Sequence, residues 1–228
     1  MNEKELKELE ARITALEKQS RITQDIEEIK KLQQIYGYYL ERQMHEEVID
    51  LFADGPDVAL HLVGLGTFTG KDEVRRYFSP KEWDPEFLHE VMQLSGVVDV
   101  DPDGRTAKGR WYNWGGMALP QGGGIRQFFM SGIYENDYVK ENGKWKIQVL
   151  RHCIVFAAPP GQGWVKPERI AAVDPKSVME EPKPDIPDTT QPRYPSGYIF
   201  PFHFKHPITG KETSEKARNA YFKKHAKK

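Results

Sequence analysis

The stretch GIYENDYVKENGKWKIQVLRHCIVF, residues 132–156, reads as two β-strands joined by a tight turn at ENGK. Polar and apolar residues alternate along most of it, the period of a half-buried sheet. Arg151 and His152 then stand side by side where a buried strand should be apolar. Successive side chains of a strand point to opposite faces, so only one of the two can enter the interior.

Upstream, HEVMQLSGVVDVDPDGRTAKGRWYNWGGMA (89–118) reads as a second hairpin with its turn at DPDG. LPQGGGIR (119–126) joins the two hairpins. Its glycines lack the strand–helix setting of a phosphate loop, and the reading is a flexible connection near a pocket mouth. Further upstream, VALHLVGLGTFTG is strand-like, GKDEVRRYF is a short amphipathic helix beginning after Gly70, and SPKEWDPEF is a loop. A short helix, Glu46 to Phe52, ends in the turn signal ADGPD.

Residues 1 to about 20 carry Leu6, Leu9, Ile13 and Leu16 at coiled-coil spacing. About two heptads are too few to hold a helix alone in water, so the seam must pack on its own body or on a partner. Thr23 and Asp25 offer caps for a second helix, with Ile26, Ile29, Leu32 and Tyr36 on one apolar face. Helices, strand, short helix and then long antiparallel strands give an α+β order. A curved antiparallel sheet wrapped around a long helix leaves a cone-shaped cavity, the curvature being taken up by bulges. The expected fold is a cone-shaped α+β barrel over 22–157, with an N-terminal helical extension over 1–21.

Composition shifts at Pro159, since 11 of the 16 prolines lie in 159–228. WVKPERI and YPSGYIFPFHF carry aromatics that a solvated linker would lack. The reading is an irregular arm over 158–228 that lies across an apolar surface, with SEKARNAYFKKH as a closing helix.

The chain has 228 residues, enough for one domain with appendages, and a formal net charge of −1 that recruits neither nucleic acid nor an anionic membrane. The basic run at 223–228 reads as a solvated tail. The single cysteine, Cys153, excludes an internal disulfide and reads as a small core residue. The first residues, MNEKELKELEAR, have no hydrophobic signal core, and no apolar run approaches the roughly 18 residues of a membrane span, so a cytoplasmic protein is expected. His203 and His206 lack the neighbouring carboxylates or helical HExxH of a metal site, and no nucleotide-binding or serine-hydrolase motif occurs, so neither metal nor cofactor is expected.

The run from Asp25 to Phe78 resembles the SnoaL-like branch of the nuclear-transport-factor-two-like superfamily. The resemblance rests on Tyr36, Glu41, Leu51–Phe52 and Asp54, and on the paired hairpins downstream. It covers about residues 22 to 157 and implies the cone fold and a small-molecule cavity. Two departures stand out: the family's acidic residue on the first core helix is usually aspartate and here is Glu41, and the acidic–tryptophan pair that often follows is Met44–His45. In the arm, GW followed by YPSGYIFPFHFKHPITGK resembles a narrower subgroup that includes cofactor-independent lyases of lignin-derived aromatic dimers. In those a benzylic hydroxyl leaves and formaldehyde is then lost.

Such a lyase needs a proton acceptor, a donor to the leaving hydroxyl and a group that steadies developing oxyanion charge. His89 matches the histidine that dehydratases of the superfamily use as acid or base. Tyr36 and Glu41 are candidate proton donors, although five residues apart on a helix they cannot share one stripe. The resemblance turns Arg151 inward, against Glu41 or a substrate oxygen, and leaves His152 facing the helix layer, the arm or a partner. Tyr39, His61, Trp111, Trp114 and Tyr134 are candidate substrate contacts. The reading is a cofactor-independent lyase of a hydroxylated, aromatic small molecule, assembled as a dimer or trimer. An isomerase or hydrolase in the same cavity and a non-catalytic binding protein are its rivals.

Overall fold

The computed structural model describes residues 2–79, 84–121, 123–161, 182–194 and 196–212. GW at 163–164, WVKPERI, Trp83 of the SPKEW loop, the expected closing helix and the basic tail lie outside the described residues.

Helix α1 (Glu3–Glu41) opens on a capping box: Asn2 Oδ1 accepts the Glu5 N–H, and the Glu5 carboxylate accepts the Asn2 N–H. The expected division into two helices does not occur. No glycine or proline interrupts residues 3–36, and Thr23 Oγ1 donates within the helix to the Gln19 carbonyl at 3.1 Å instead of capping. Asp25 is likewise no cap. It turns to the sheet, pairs with Lys140 and accepts the Trp145 Nε1–H at 2.9 Å. Asp25, Ile29, Gln33 and Tyr36 form the buried stripe of the inner half. The outer half stands clear, with Leu6, Leu9, Ile13 and Leu16 exposed.

The chain continues through α2 (His45–Asp50), β1 (Ala59–Leu62), β2 (Gly66–Thr69), α3 (Lys71–Tyr77), β3 (Leu88–His89), β4 (Met92–Val100), β5 (Thr106–Gln121), β6 (Gly124–Glu141), β7 (Lys144–Ala158) and β8 (Ile186–Pro187). The strands form one open sheet in the order β3-β5-β6-β7-β1-β2-β8, with β4 also on β5. All pairs are antiparallel except β1 with β7. This is the mixed α+β cone expected above, its sheet curved and unclosed. LPQGGGIR is not a loose connection: β5 and β6 stay paired through it, out to Gln121 opposite Gly124.

Register shifts curve the sheet between Leu94 and Val97 on β4, between Ser131 and Gly132 on β6, and between Asp137 and Tyr138 on β6. The last two leave Gln148 and Val155 of β7 without partners on β6. Each extra residue reverses the alternation, so the inward series runs Trp145, Ile147, then Leu150, His152, Ile154, then Ala157. The inner face packs on α1 around Ile29, Phe52, Leu60, Trp111, Tyr138 and Ile147. In the arm, β8 pairs with β2 at the sheet edge, and the stretch around Phe200 lies on the outer face, where Phe200 packs with Val63 and Cys153 and Arg110 bonds the Phe200 and Pro201 carbonyls. Among the described residues no helix is long and apolar enough to cross a membrane.

Candidate active site

Between the inner face, the end of α1 and helices α2 and α3 lies a cavity of about 540 Å³. Leu60, Leu62, Met117, Phe128, Met130 and Leu150 give it apolar walls. Into it project His89 from β3, His152 from β7, His45 from α2, Tyr36 from α1, Tyr77 from α3 and Tyr134 from β6.

Two histidines are held neutral there. Burial, followed by the neighbouring His45, pushes the His89 imidazole down to about 4. Burial, followed by the neighbouring His89, pushes His152 down to about 3. A desolvated imidazole loses its charged form first, and a second imidazolium nearby adds repulsion. His152 stacks on Tyr134, with ring centroids 4.4 Å apart, and its Nε2 lies 3.0 Å from Asn113 Oδ1. An amide oxygen in that position accepts Nε2–H, which leaves Nδ1 with the free electron pair. The pair sits over Gly132, where any Cβ would come within 2.2 Å of Asn113 Oδ1 and 2.6 Å of His152 Nε2.

The tyrosines are held protonated. Burial raises Tyr36 well above the ordinary phenol value, with repulsion from Tyr134 next, and burial raises Tyr134 as well. Their rings meet edge to face, with centroids 6.0 Å apart. Behind them runs a polar network: Gln33 Nε2 donates to Gln93 Oε1 at 2.7 Å, and Gln33 Oε1 accepts from the Tyr138 hydroxyl at 2.7 Å and from Asn136 Nδ2 at 2.9 Å. These buried amides and hydroxyls fix each other's orientation behind the cavity wall.

Tyr36, His89 and Tyr134 thus share the cavity, whereas the other expected site residues lie elsewhere. Arg151 is not in it. The unpaired Gln148 turns Arg151 to the outer face, where Nη2 meets Asp137 Oδ2 at 2.6 Å, and His152 takes the inward place. Glu41 does not line the cavity either; its carboxylate accepts the Val91 N–H at 3.3 Å, so the acidic residue of α1 ties the helix end to the sheet. Tyr39 packs partly buried against the core. His61 points outward to Asp188 of the arm at 3.2 Å. Trp111 fills the space over Gly96, where a Cβ would lie 2.0 Å from its Cζ3, and donates Nε1–H to Tyr138 at 3.0 Å. Trp114 is on the outer face, its ring 5.7 Å from that of Phe156.

Sequence alone does not single out His45, Tyr77 and Asn113, and it faces His152 the wrong way. Asn113 is legible in part, because it shares a strand face with Trp111; its tie to His152 depends on a close approach that only the glycine at 132 permits. His203 is occupied by the Glu135 carboxylate. Among the described residues no three His, Cys, Asp or Glu side chains form a metal-ligating group. Cys153 lies on the outer face, its thiol pushed up by burial to about 12.

The SnoaL-like domain family matches residues 21–151, more than half of the chain, and the chain belongs to that family. The family includes dehydratases and isomerases. A comparison with curated proteins finds no match. Among solved structures, a protein from Novosphingobium aromaticivorans provisionally assigned as a scytalone dehydratase is similar at 17% identity and a TM-score of 0.53, over 64% of this chain and 99% of that one. A variant of a function-unknown protein from Mycobacterium tuberculosis is similar at 22% identity and a TM-score of 0.45, over 57% of this chain and 70% of that one. A provisionally assigned NTF2-like dehydratase from Streptomyces avermitilis is similar at 16% and 0.49, over 59% and 98%. At these identities the likeness is one of fold.

Proposed function

We propose that the protein is a cofactor-independent lyase of a hydroxylated aromatic small molecule, of the size of a lignin-derived dimer. The observation that carries this reading is the pairing of opposite proton states in one apolar cavity: imidazoles held neutral beside phenols held protonated. Elimination of a hydroxyl needs one group that can give a proton and one that can take it. Tyr36, steadied by Tyr134, gives its proton to the leaving benzylic hydroxyl, which departs as water. His152 or His89 then takes a proton from the substrate. If that proton comes from the adjacent carbon, the product is an alkene. If it comes from a neighbouring hydroxymethyl group, the C–C bond breaks as its O–H electrons form formaldehyde and an alkene is left. In both cases water leaves, only protons move between protein and substrate, and no redox partner is required. The cavity is large enough for two aromatic rings, and apolar walls with a few converging polar groups are the usual make-up of a small-molecule site.

The test is incubation of the full chain with 1,2-diarylpropane-1,3-diols and their mono-hydroxy analogues, without added cofactor, followed by mass spectrometry. The expected result is loss of water plus formaldehyde from the diols, or water alone from the analogues. Recovery of every compound unchanged, while the protein remains folded and binds them, would sink the lyase reading and leave a binding protein.

A further inference from the structure

We propose that His152, rather than His89, is the proton acceptor of the cavity, that it accepts at Nδ1, and that Asn113 is the positioning residue that reserves this atom for the substrate. This deepens the reading above and rests on the cavity being a lyase site.

Asn113 and His152 do not lie on neighbouring strands. Asn113 is on β5 opposite Gly132 of β6, and His152 is on β7 opposite Tyr134 of β6. Strands two apart are separated by roughly 10 Å, and a side chain on the strand between them would keep amide and imidazole from meeting. Gly132 supplies none, and a Cβ there would come within 2.2 Å of Asn113 Oδ1 and 2.6 Å of His152 Nε2. Tyr134, two residues on, stacks on the imidazole with an interplanar angle of 24°. One strand therefore provides both the opening that the bond crosses and the surface that sets the ring plane.

The two nitrogens of the ring then differ. Nε2 faces Asn113 Oδ1 at 3.0 Å, on a side chain that is wholly buried. Nδ1 has no hydrogen-bond partner among the described residues, yet it is not one of the side-chain atoms sealed away without a partner. It opens on free space, and the space that His152 borders is the cavity. His89 borders the same cavity. Among the described residues its imidazole has a ring contact with Phe87, centroids 5.9 Å apart, and no hydrogen bond. In a neutral imidazole the basic nitrogen is set by the bond that the other nitrogen makes. Asn113 makes that choice for His152, and nothing makes it for His89. His89 bears on the step by staying uncharged, since its charge would repel the one that His152 acquires.

The kind of partner matters as much as its place. An amide oxygen accepts Nε2–H without adding charge, so the Nδ1 electron pair stays free; a carboxylate there would favour the imidazolium and fill that position. In the reaction Nδ1 takes the substrate's proton, the electrons of the broken bond stay with the substrate, and the imidazolium keeps its Nε2–H on Asn113. Besides His89 and Tyr134, the titratable side chains that border the cavity among the described residues are Tyr36, Tyr77, His45, Asp84 and Arg193, and all of them are kept in the variants below.

The experiment is a long-range proton–nitrogen NMR spectrum of the full chain labelled in its histidine rings, with the His152 signals assigned by their absence in His152→Gln. The expected spectrum at pH 7 shows the His152 proton on Nε2 and the free pair on Nδ1. Asn113→Leu should mix the two tautomers. Asn113→Asp should keep the Nε2 proton but raise the pH at which the ring takes a second one, which moves the acid limb of kcat to higher pH. With a diol that is turned over, His152→Gln should lower kcat by on the order of a hundredfold or more, and His89→Gln should cost clearly less. A wild-type proton on Nδ1, an unchanged tautomer in Asn113→Leu, or a larger kcat loss in His89→Gln than in His152→Gln would overturn the proposal. The spectra need no turnover, so the two failures separate: the expected tautomer without turnover sinks the lyase reading and the acceptor role with it, whereas turnover with the wrong tautomer sinks only the inference about Asn113 and His152.

Discussion

Gly132→Ala is the substitution that tests the site most directly. The Ala methyl would sit 2.2 Å from Asn113 Oδ1, 2.6 Å from His152 Nε2 and 2.9 Å from the Cys153 carbonyl oxygen. All three contacts are shorter than atoms tolerate, and one of them is backbone, so the imidazole and the amide must move apart. Overpacking of this kind costs about 1–3 kcal/mol, which for a domain of this size lowers Tm by roughly 2 to 12 °C. The catalytic loss should be larger, because a displacement on the order of 1 Å at a reacting group can cost on the order of a hundredfold. Gly116→Ala is the matched control. It lies on β5, has no positive φ, and its Cβ would meet only Phe129 Cδ1 at 4.0 Å, so it should be neutral or slightly stabilising. The assays are thermal unfolding and turnover of whichever aromatic alcohol proves to be a substrate, with kcat and KM separated. If Gly132→Ala matches Gly116→Ala in both Tm and kcat, the His152–Asn113 contact does not constrain the site.

Stability should fall as pH drops. His89 and His152 titrate in the folded protein at about 4 and about 3, below their unfolded value of about 6.5, so the unfolded chain takes up protons first. The stability they contribute is complete above about pH 6.5 and declines as pH falls towards the folded values, with a slope of at most roughly 2.7 kcal/mol per pH unit for two histidines; denaturant titrations from pH 8 to 4 measure it, and a flat profile would be incompatible with two buried neutral imidazoles. Of His89→Ala and His152→Ala, the one that removes the proton acceptor should lower kcat by on the order of a hundredfold or more, whereas Arg151→Gln should leave kcat close to wild type and affect Tm alone; a kcat collapse in a well-folded Arg151→Gln protein would restore that residue to the mechanism. Turnover should survive dialysis against EDTA, and a loss reversed by adding a divalent metal would refute this. The full chain should sediment as an oligomer at micromolar concentration and shift to a smaller species on deletion of residues 1–20, because four large apolar side chains along one stripe of α1 are exposed; an unchanged monomer before and after deletion would refute it.

The cone fold is legible because its signals are local and periodic. Turn residues at DPDG and ENGK mark two hairpins, and Gly70 marks the start of α3. The single long α1 is less legible, because Thr23 and Asp25 look like caps until their partners within the helix and across the sheet are known. The site is legible only in part, and the reason is the phase of β7. Counting inward residues by twos from Trp145 and Ile147 places Arg151 in the cavity; the unpaired Gln148 reverses that count. A bulge is set by pairing between strands, and nothing in the β7 sequence alone announces it. Tyr36 belongs to an apolar helix stripe, and the helix period alone carries it to the cavity. The seating of the arm is invisible for a further reason: Tyr194 and Asp188 are placed by contacts more than 30 residues away in sequence, with Val155 and with Gly64.

The bulges also explain why this sheet supports a polar site at all. A β7 without Gln148 would send Arg151 into the hydrocarbon cavity and leave its charge to be met there, at a cost of several kcal/mol for an unmatched ion. With the bulge, the guanidinium is paired with Asp137 on the half-exposed outer face, and the interior receives an imidazole that can be buried uncharged. The same low-polarity setting lowers the histidines and raises the phenols, because in each case it disfavours whichever form carries charge. One physical cause therefore keeps imidazoles and phenols alike uncharged, so that no ion is buried. On the proposed lyase reading, charge would develop only as the leaving hydroxyl takes its proton, between a phenol beside Tyr134 and an imidazole held by Asn113.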